Sequence, residues 1–173
     1  MTGEKIEEAM AILQPGDIIL RGYDCYLDGH FIDGDYSHGA IYVGDNTIIH
    51  AVSPTVCRTH SISFMECDRI VILRPKCDVK DAIEKANEFA DLKVPYDFYF
   101  ESDSVNRLYC FELVAACYPK LKFKKHEVKK FFGLVKRQVY LSKSFIESKK
   151  VVKMFEYNPR LKSNFSKLAH FSR

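Results

Sequence analysis

Ser37-His38-Gly39-Ala40-Ile41-Tyr42-Val43-Gly44-Asp45-Asn46-Thr47-Ile48-Ile49-His50-Ala51-Val52 is the stretch on which the fold turns. Two β-prone runs, Ser37 to Val43 and Thr47 to Val52, flank Gly44-Asp45-Asn46, residues that tolerate positive φ. The pattern predicts an antiparallel hairpin. With a three-residue loop at 44–46, residue 38 stands opposite 52. His50 is then the diagonal neighbour of His38 on the same face, about 7–8 Å away between backbone positions and within reach of two imidazoles. A register slip of one residue would send the two rings to opposite faces.

Outward from the hairpin, the chain alternates between two periods. Ile6, Ala9, Met10 and Leu13 are spaced for a short helix over 3–13, with Thr2 as N-cap and Pro15-Gly16 as its stop. Asp17 to Arg21 reads as a strand and Arg69 to Arg74 as another that extends the sheet, whereas Gly22 to Tyr36 has no clear period. After Pro75 the apolar positions Ala82, Ile83, Ala86, Phe89 and Ala90 recur at helical spacing, and Val94-Pro95-Tyr96 ends that helix. Glu101 to Arg107 is polar and reads as a loop. Cys110, Leu113, Val114 and Cys117 fall at i, i+3, i+4 and i+7, one face of a helix that Pro119 terminates. Beyond it lie weaker segments at Val128 to Phe132 and Phe145 to Phe155, with a short strand expected at Val139 to Leu141. Gly22 to Tyr36 and Pro54 to Phe64 are read as irregular loops in which substrate selectivity would reside.

The chain of 173 residues is long enough for one core and short for two, so a single domain over 1–173 is expected, with a catalytic core at about 14–118 and an extension at 119–173. Its hydrophobic fraction of 47% excludes a disordered chain. No run approaches the roughly 20 apolar residues of a membrane helix, and the acidic N-terminus is unlike a signal peptide. A cytoplasmic protein with free thiols is therefore expected, and six cysteines without a CxxC pair argue against a zinc site. Charge is divided: residues 1–119 hold 10 Lys/Arg against 20 Asp/Glu, and residues 120–173 hold 16 against 3. Such an extension suits an anionic membrane surface or a position across the acidic body; no specific nucleic-acid partner is predicted.

Cys110 is the one cysteine placed at a helix N-terminus, where the dipole and a nearby imidazolium would favour thiolate. The first-turn N–H groups around Tyr109-Cys110-Phe111 have no partner within the helix and are suited to an oxyanion. One segment thus offers nucleophile and oxyanion hole, and His38 offers a base that His50 would orient. Asp17 is read as structural, capping the start of its strand. Glu112 is read as a charge complementing the helix N-terminus.

Pro15-Gly16-Asp17-Ile18-Ile19-Leu20, the His38 strand and Ile48-Ile49-His50-Ala51 resemble the strand signature shared by NlpC-type papain-like hydrolases and lecithin:retinol acyltransferase-like enzymes. Because Cys110 follows His38, the order of parts is that of the circularly permuted branch. Val94-Pro95-Tyr96-Asp97-Phe98 and Tyr109-Cys110-Phe111-Glu112-Leu113-Val114 are similar to segments of its YiiX/YebB-like members and their poxviral relatives. The resemblance implies an α+β permuted papain-like fold, a small antiparallel sheet or barrel packed on the helix bearing Cys110. It also implies His38 as base, His50 as third polar group and Tyr96 at the oxyanion site, with Tyr109 and Phe111 beside it, and neither cofactor nor metal. Two positions depart from the pattern: the branch commonly has an acidic residue where His50 stands, and a small polar residue where Phe111 stands.

These observations support first a hydrolase of amide bonds in a peptide or amidated substrate, working through a thioester. A second reading is acyl-lipid cleavage or acyl transfer at anionic membranes. A third is a non-catalytic binding module on the same fold.

Overall fold

The structure, a computed structural model, describes residues 1–24, 34–100, 105–130 and 135–161. Cys25, most of the expected Gly22 to Tyr36 loop and the end of the basic extension lie outside the described residues. Fourteen described elements follow in order: α1 (Gly3–Ile12), β1 (Ile18–Gly22), β2 (His38–Gly44), β3 (Thr47–Val52), β4 (Thr55–His60), α2 (Ser61–Met65), β5 (Arg69–Pro75), α3 (Lys80–Asp91), α4 (Cys110–Cys117), a 3₁₀ turn (Pro119–Leu121), β6 (His126–Lys130), β7 (Val135–Val139), α5 (Ser142–Ile146) and β8 (Val151–Tyr157). Six strands form one antiparallel sheet in the order β4-β3-β2-β1-β5-β8, and β6 and β7 form a separate hairpin.

Alternation along the strands divides the interior into two cores. Ile18, Leu20, Ile41, Ile49, Val71 and Leu73 meet α3 and α4 through Ala82, Ala86, Phe89, Phe111 and Leu113. On the other side Ile19, Ala40, Ile48, Ile70 and Ile72 meet Ala9 of α1 and Phe64 and Met65 of α2. The sheet is therefore covered on both faces, which explains the near-continuous apolar run of β5.

The turn of the β2–β3 hairpin has two central residues, Asp45 and Asn46, both left-handed at φ 48° and 53°, closed by Gly44 opposite Thr47. It is one residue shorter than expected. A bulge between Tyr42 and Gly44 restores the lost residue, so that Tyr42 pairs with Ile48 and Ala40 with His50. Extending that register sets His38 level with Val52, as the longer loop would have done.

Pro54 to Phe64 is not irregular: it contains β4 and α2. The Thr-Val-Cys-Arg-Thr-His run of β4 alternates, but its intermediate and exposed residues mask it as loop. The expected segment Phe145 to Phe155 divides into the end of α5 and most of β8, and the strand expected at Val139 to Leu141 ends at Val139 as β7. β8 carries the basic extension into the main sheet against β5, so the sheet does not stop at residue 118.

Asp17 secures the start of β1. Buried to 1% exposure, it binds Arg74 through both carboxylate oxygens at 2.9 and 2.8 Å and accepts the N–H of Gln14 at 2.8 Å. It precedes Ile18, which pairs with Ile41, whereas His38 pairs with Arg21 at the far end of β1. The Asp17→Ala variant is expected to lose about 2–3 kcal/mol in urea unfolding, because Arg74 and a backbone N–H lose a charged acceptor. A change below about 0.5 kcal/mol, the range of ordinary surface substitutions, would show that the pair contributes little.

Candidate active site

Cys110 opens α4. Its predecessor Tyr109 is extended (φ −87°, ψ 170°) and offers no side-chain cap. The first-turn N–H groups are thus left for other acceptors. The Cys110 sulfur is 3% exposed at residue level and lies 3.9 Å from the carbonyl oxygen of Ser37. Backbone N–H groups of Gly39, Phe111 and Cys110 itself act on the sulfur to favour its thiolate form. The thiol therefore lies against the backbone on either side of His38, at Ser37 and at Gly39 of β2.

His38 and His50 are brought together. Nε2 of His38 lies 2.8 Å from Nδ1 of His50, and the rings stand edge to face with centroids 5.1 Å apart. Phe64 of α2 supports both, 5.7 Å from the His38 ring and 5.4 Å from the His50 ring. The other nitrogen of His50, Nε2, faces Sγ of Cys57 at 3.5 Å. Cys57 is the cross-strand partner of His50 in β4, so the contact follows from register. Among the described residues no group of three or more His, Cys, Asp and Glu side chains is arranged to hold a metal ion.

Burial and the Arg21 charge favour the uncharged forms of the thiol and both imidazoles. Desolvation, the Arg21 guanidinium and His50 hold His38 well below the ordinary histidine range. Desolvation and Arg21 pull His50 down to about 4. Burial pushes the Cys110 thiol up to about 11, outweighing the three backbone donors and Arg21, which act in the opposite direction. A preformed thiolate–imidazolium pair, expected from the helix terminus, is thus disfavoured in the unliganded protein. The thiol and both imidazoles rest uncharged, and charge must develop as the thiol attacks.

The flanking aromatics divide in role. Tyr96 is half-buried, its backbone bridged to Leu108 two residues before Cys110, with its ring 5.0 Å from that of Phe98. Tyr109 turns its phenol away to the backbone of Tyr140, accepting that N–H at 2.6 Å. Phe111 is 1% exposed and packs on Gly39 and on the ring of Phe145, so only its backbone is available to the site. Sequence reasoning missed Arg21, Cys57 and Phe64. Arg21 pairs directly with His38 and Cys57 with His50, a relation that the β4 pattern could have revealed.

Comparison with known proteins agrees with this architecture. The family described as "permuted papain-like amidase enzyme, YaeF/YiiX, C92 family" matches residues 12–159. Protein OPG091 of Variola virus is 27% identical over 150 residues, covering 83% of this chain and 85% of its own length. A crystal structure titled as metalloprotein yiiX from Escherichia coli O157:H7 is similar in fold, with a TM-score of 0.69 at 20% identity over 84% of this chain and 98% of that one.

The depressed histidines predict a pH dependence of stability. On acidification the unfolded chain takes up protons near 6.5, while folded His50 resists until about 4 and His38 acts in the same direction. Stability is complete above that window and falls as pH drops through it, by up to about 1.4 kcal/mol per pH unit for each histidine. Urea unfolding between pH 7 and 4.5 should show this decline, and His50→Gln should make it shallower. Equal slopes would mean that His50 is not held neutral by the fold.

Proposed function

The chain belongs to the permuted papain-like amidase family, and we propose that it cleaves an amide bond with Cys110 as nucleophile, His38 as general base and His50 as the group that orients His38. The observations that support this reading are the uncapped start of α4, where the Cys110 sulfur lies 3.9 Å from the Ser37 carbonyl oxygen, and the hydrogen-bonded imidazole pair that begins at the next residue, His38.

Nε2 of His38 donates to Nδ1 of His50, and Nδ1 of His38 carries the lone pair that takes the thiol proton. In this arrangement the proton of His50 is on Nε2, directed at the Cys57 sulfur. As Sγ bonds to the substrate carbonyl carbon, His38 accepts the proton and N–H groups of the first turn of α4 hold the oxyanion, assisted by Tyr96. His38 then protonates the leaving amine, leaving a thioester on Cys110. Water, deprotonated by the same imidazole, releases the acid and restores the thiol. His50 fills the role of the acidic residue usual in the branch by accepting the hydrogen bond of the His38 Nε2–H while remaining uncharged. The free thiols of the described cysteines suit a reducing compartment such as the cytoplasm.

A second substrate class, acyl lipids at an anionic membrane, is favoured by exposed Phe98 and Tyr99 beside Tyr96 and by the basic extension. Intact-mass analysis after exposure to cell extract tests both. A peptidyl or amidated adduct mapped to Cys110 supports the first and a fatty-acyl adduct the second. Turnover retained by purified, folded Cys110→Ala or Cys110→Ser would move the nucleophile elsewhere. His38→Ala is expected to lose turnover by at least about 100-fold, the usual contribution of a general base. His50→Ala should lose less, and His50→Glu should retain more activity than His50→Ala at matched thermal stability.

A further inference from the structure

Arg21 stands in β1 directly opposite His38. Its guanidinium carbon lies 4.1 Å over the Phe64 ring and 5.3 Å from the Tyr23 ring centroid. Phe64 is the same ring that supports His38 and His50. Of the donors on Arg21, Nη1 reaches the Phe64 carbonyl at 2.9 Å, and Nε is buried with no acceptor among the described residues.

The contrast with other arginines is informative. Arg58 pairs with Asp91, Arg69 and Arg160 with Asp24, and Arg74 with Asp17. Among the described residues no carboxylate pairs with Arg21. A half-buried guanidinium without a counter-charge is costly, and here it also opposes formation of the His38 imidazolium that the reaction requires. The arrangement makes physical sense if the missing negative charge arrives with the substrate.

We propose that Arg21 is the anion-binding group of the active site and that the substrate carries a carboxylate close to the bond cleaved at Cys110. A carboxylate fits because its single charge matches a single cation and its two oxygens match the planar fork of guanidinium. A phosphate dianion would call for a second cation, and among the described residues Arg21 is the cation that acts on His38 and His50 apart from the imidazoles themselves. Binding also has a consequence for catalysis. The bound carboxylate neutralises the charge that suppresses protonation of His38, so the base strengthens when an anionic substrate is in place. The uncharged thiol and imidazoles and the anion-binding arginine then belong to one device that holds the thiol unreactive until the correct substrate arrives.

This inference rests on the thiol-hydrolase reading, and one experiment separates the failure of each. Rates of Cys110 modification by iodoacetate and iodoacetamide are compared at pH 8.5 with peptide mapping, since Cys57 also carries a thiol. Simple thiolates react faster with the neutral amide. Here iodoacetate is expected to be the faster reagent, because Arg21 captures its carboxylate. Arg21→Gln should lower the iodoacetate-to-iodoacetamide ratio by about tenfold or more, the effect of one charge-assisted contact. Arg21→Lys, which keeps charge and stem, should give an intermediate ratio and serves if the glutamine variant does not fold. If iodoacetamide remains faster in the native protein, or the ratio is unchanged in the variants, the anion site is overturned; a carboxylate of the chain already paired with Arg21 would give that result. If Cys110 reacts with neither reagent, the thiol-hydrolase reading falls and the inference with it.

Discussion

A Cβ on residue 39 would stand 2.8 Å from Cδ1 of Phe111, closer than real side chains approach. Glycine at this position is what lets the start of α4 lie directly on β2. The rest of the site follows from that approach. The Cys110 sulfur reaches the Ser37 carbonyl and the Gly39 N–H, and Phe111 seals the interior beneath it. This also accounts for Phe111 where the branch commonly has a small polar residue: its ring occupies the space above Gly39, and only its N–H serves the sulfur.

The second governing feature is that the thiol and both imidazoles are uncharged at rest. In a site where burial dominates, a carboxylate as third residue would hold charge next to His38 and stabilise imidazolium. His50 cannot do so, because desolvation and Arg21 keep it neutral as well. It joins a chain of contacts: His38 and His50 are 2.8 Å apart, and His50 and Cys57 3.5 Å apart. Such a chain fixes ring positions and tautomer without fixing charge. The charge needed for turnover must come from elsewhere, and Arg21 marks where an anionic ligand would alter the balance.

Much of this was legible in the sequence because two periodic signals are strong. Alternation through Ile41, Ile49 and their neighbours, broken by Asp45-Asn46, defines the hairpin that brings His38 and His50 together, and the spacing of Cys110, Leu113, Val114 and Cys117 defines α4. The turn was misjudged by one residue, but the bulge in β2 compensated, since burial of Ile41 and Ile49 on one face selects the register more strongly than turn length does. β4 and β8 were not legible. Both are edge strands of the sheet, and their polar or exposed positions weaken the hydrophobic pattern. The resting thiol was misread for a related reason: a helix N-terminus can be seen in sequence, but the depth of burial that outweighs it cannot. Arg21 went unnoticed because its importance lies in what it lacks, a carboxylate partner among the described residues, and only register and packing reveal that.

The proposed chemistry depends most on the protonation of the imidazole pair, which ¹⁵N NMR of the histidine side chains reads directly in the folded protein at pH 7. The expected spectrum has His38 and His50 both neutral, each protonated at Nε2 and bare at Nδ1, with the His38 Nδ1 resonance the one that moves in the Cys110→Ala variant. A His38 imidazolium, or a His38 proton on Nδ1, would contradict it, because the thiol would then face a donor where the mechanism requires a base.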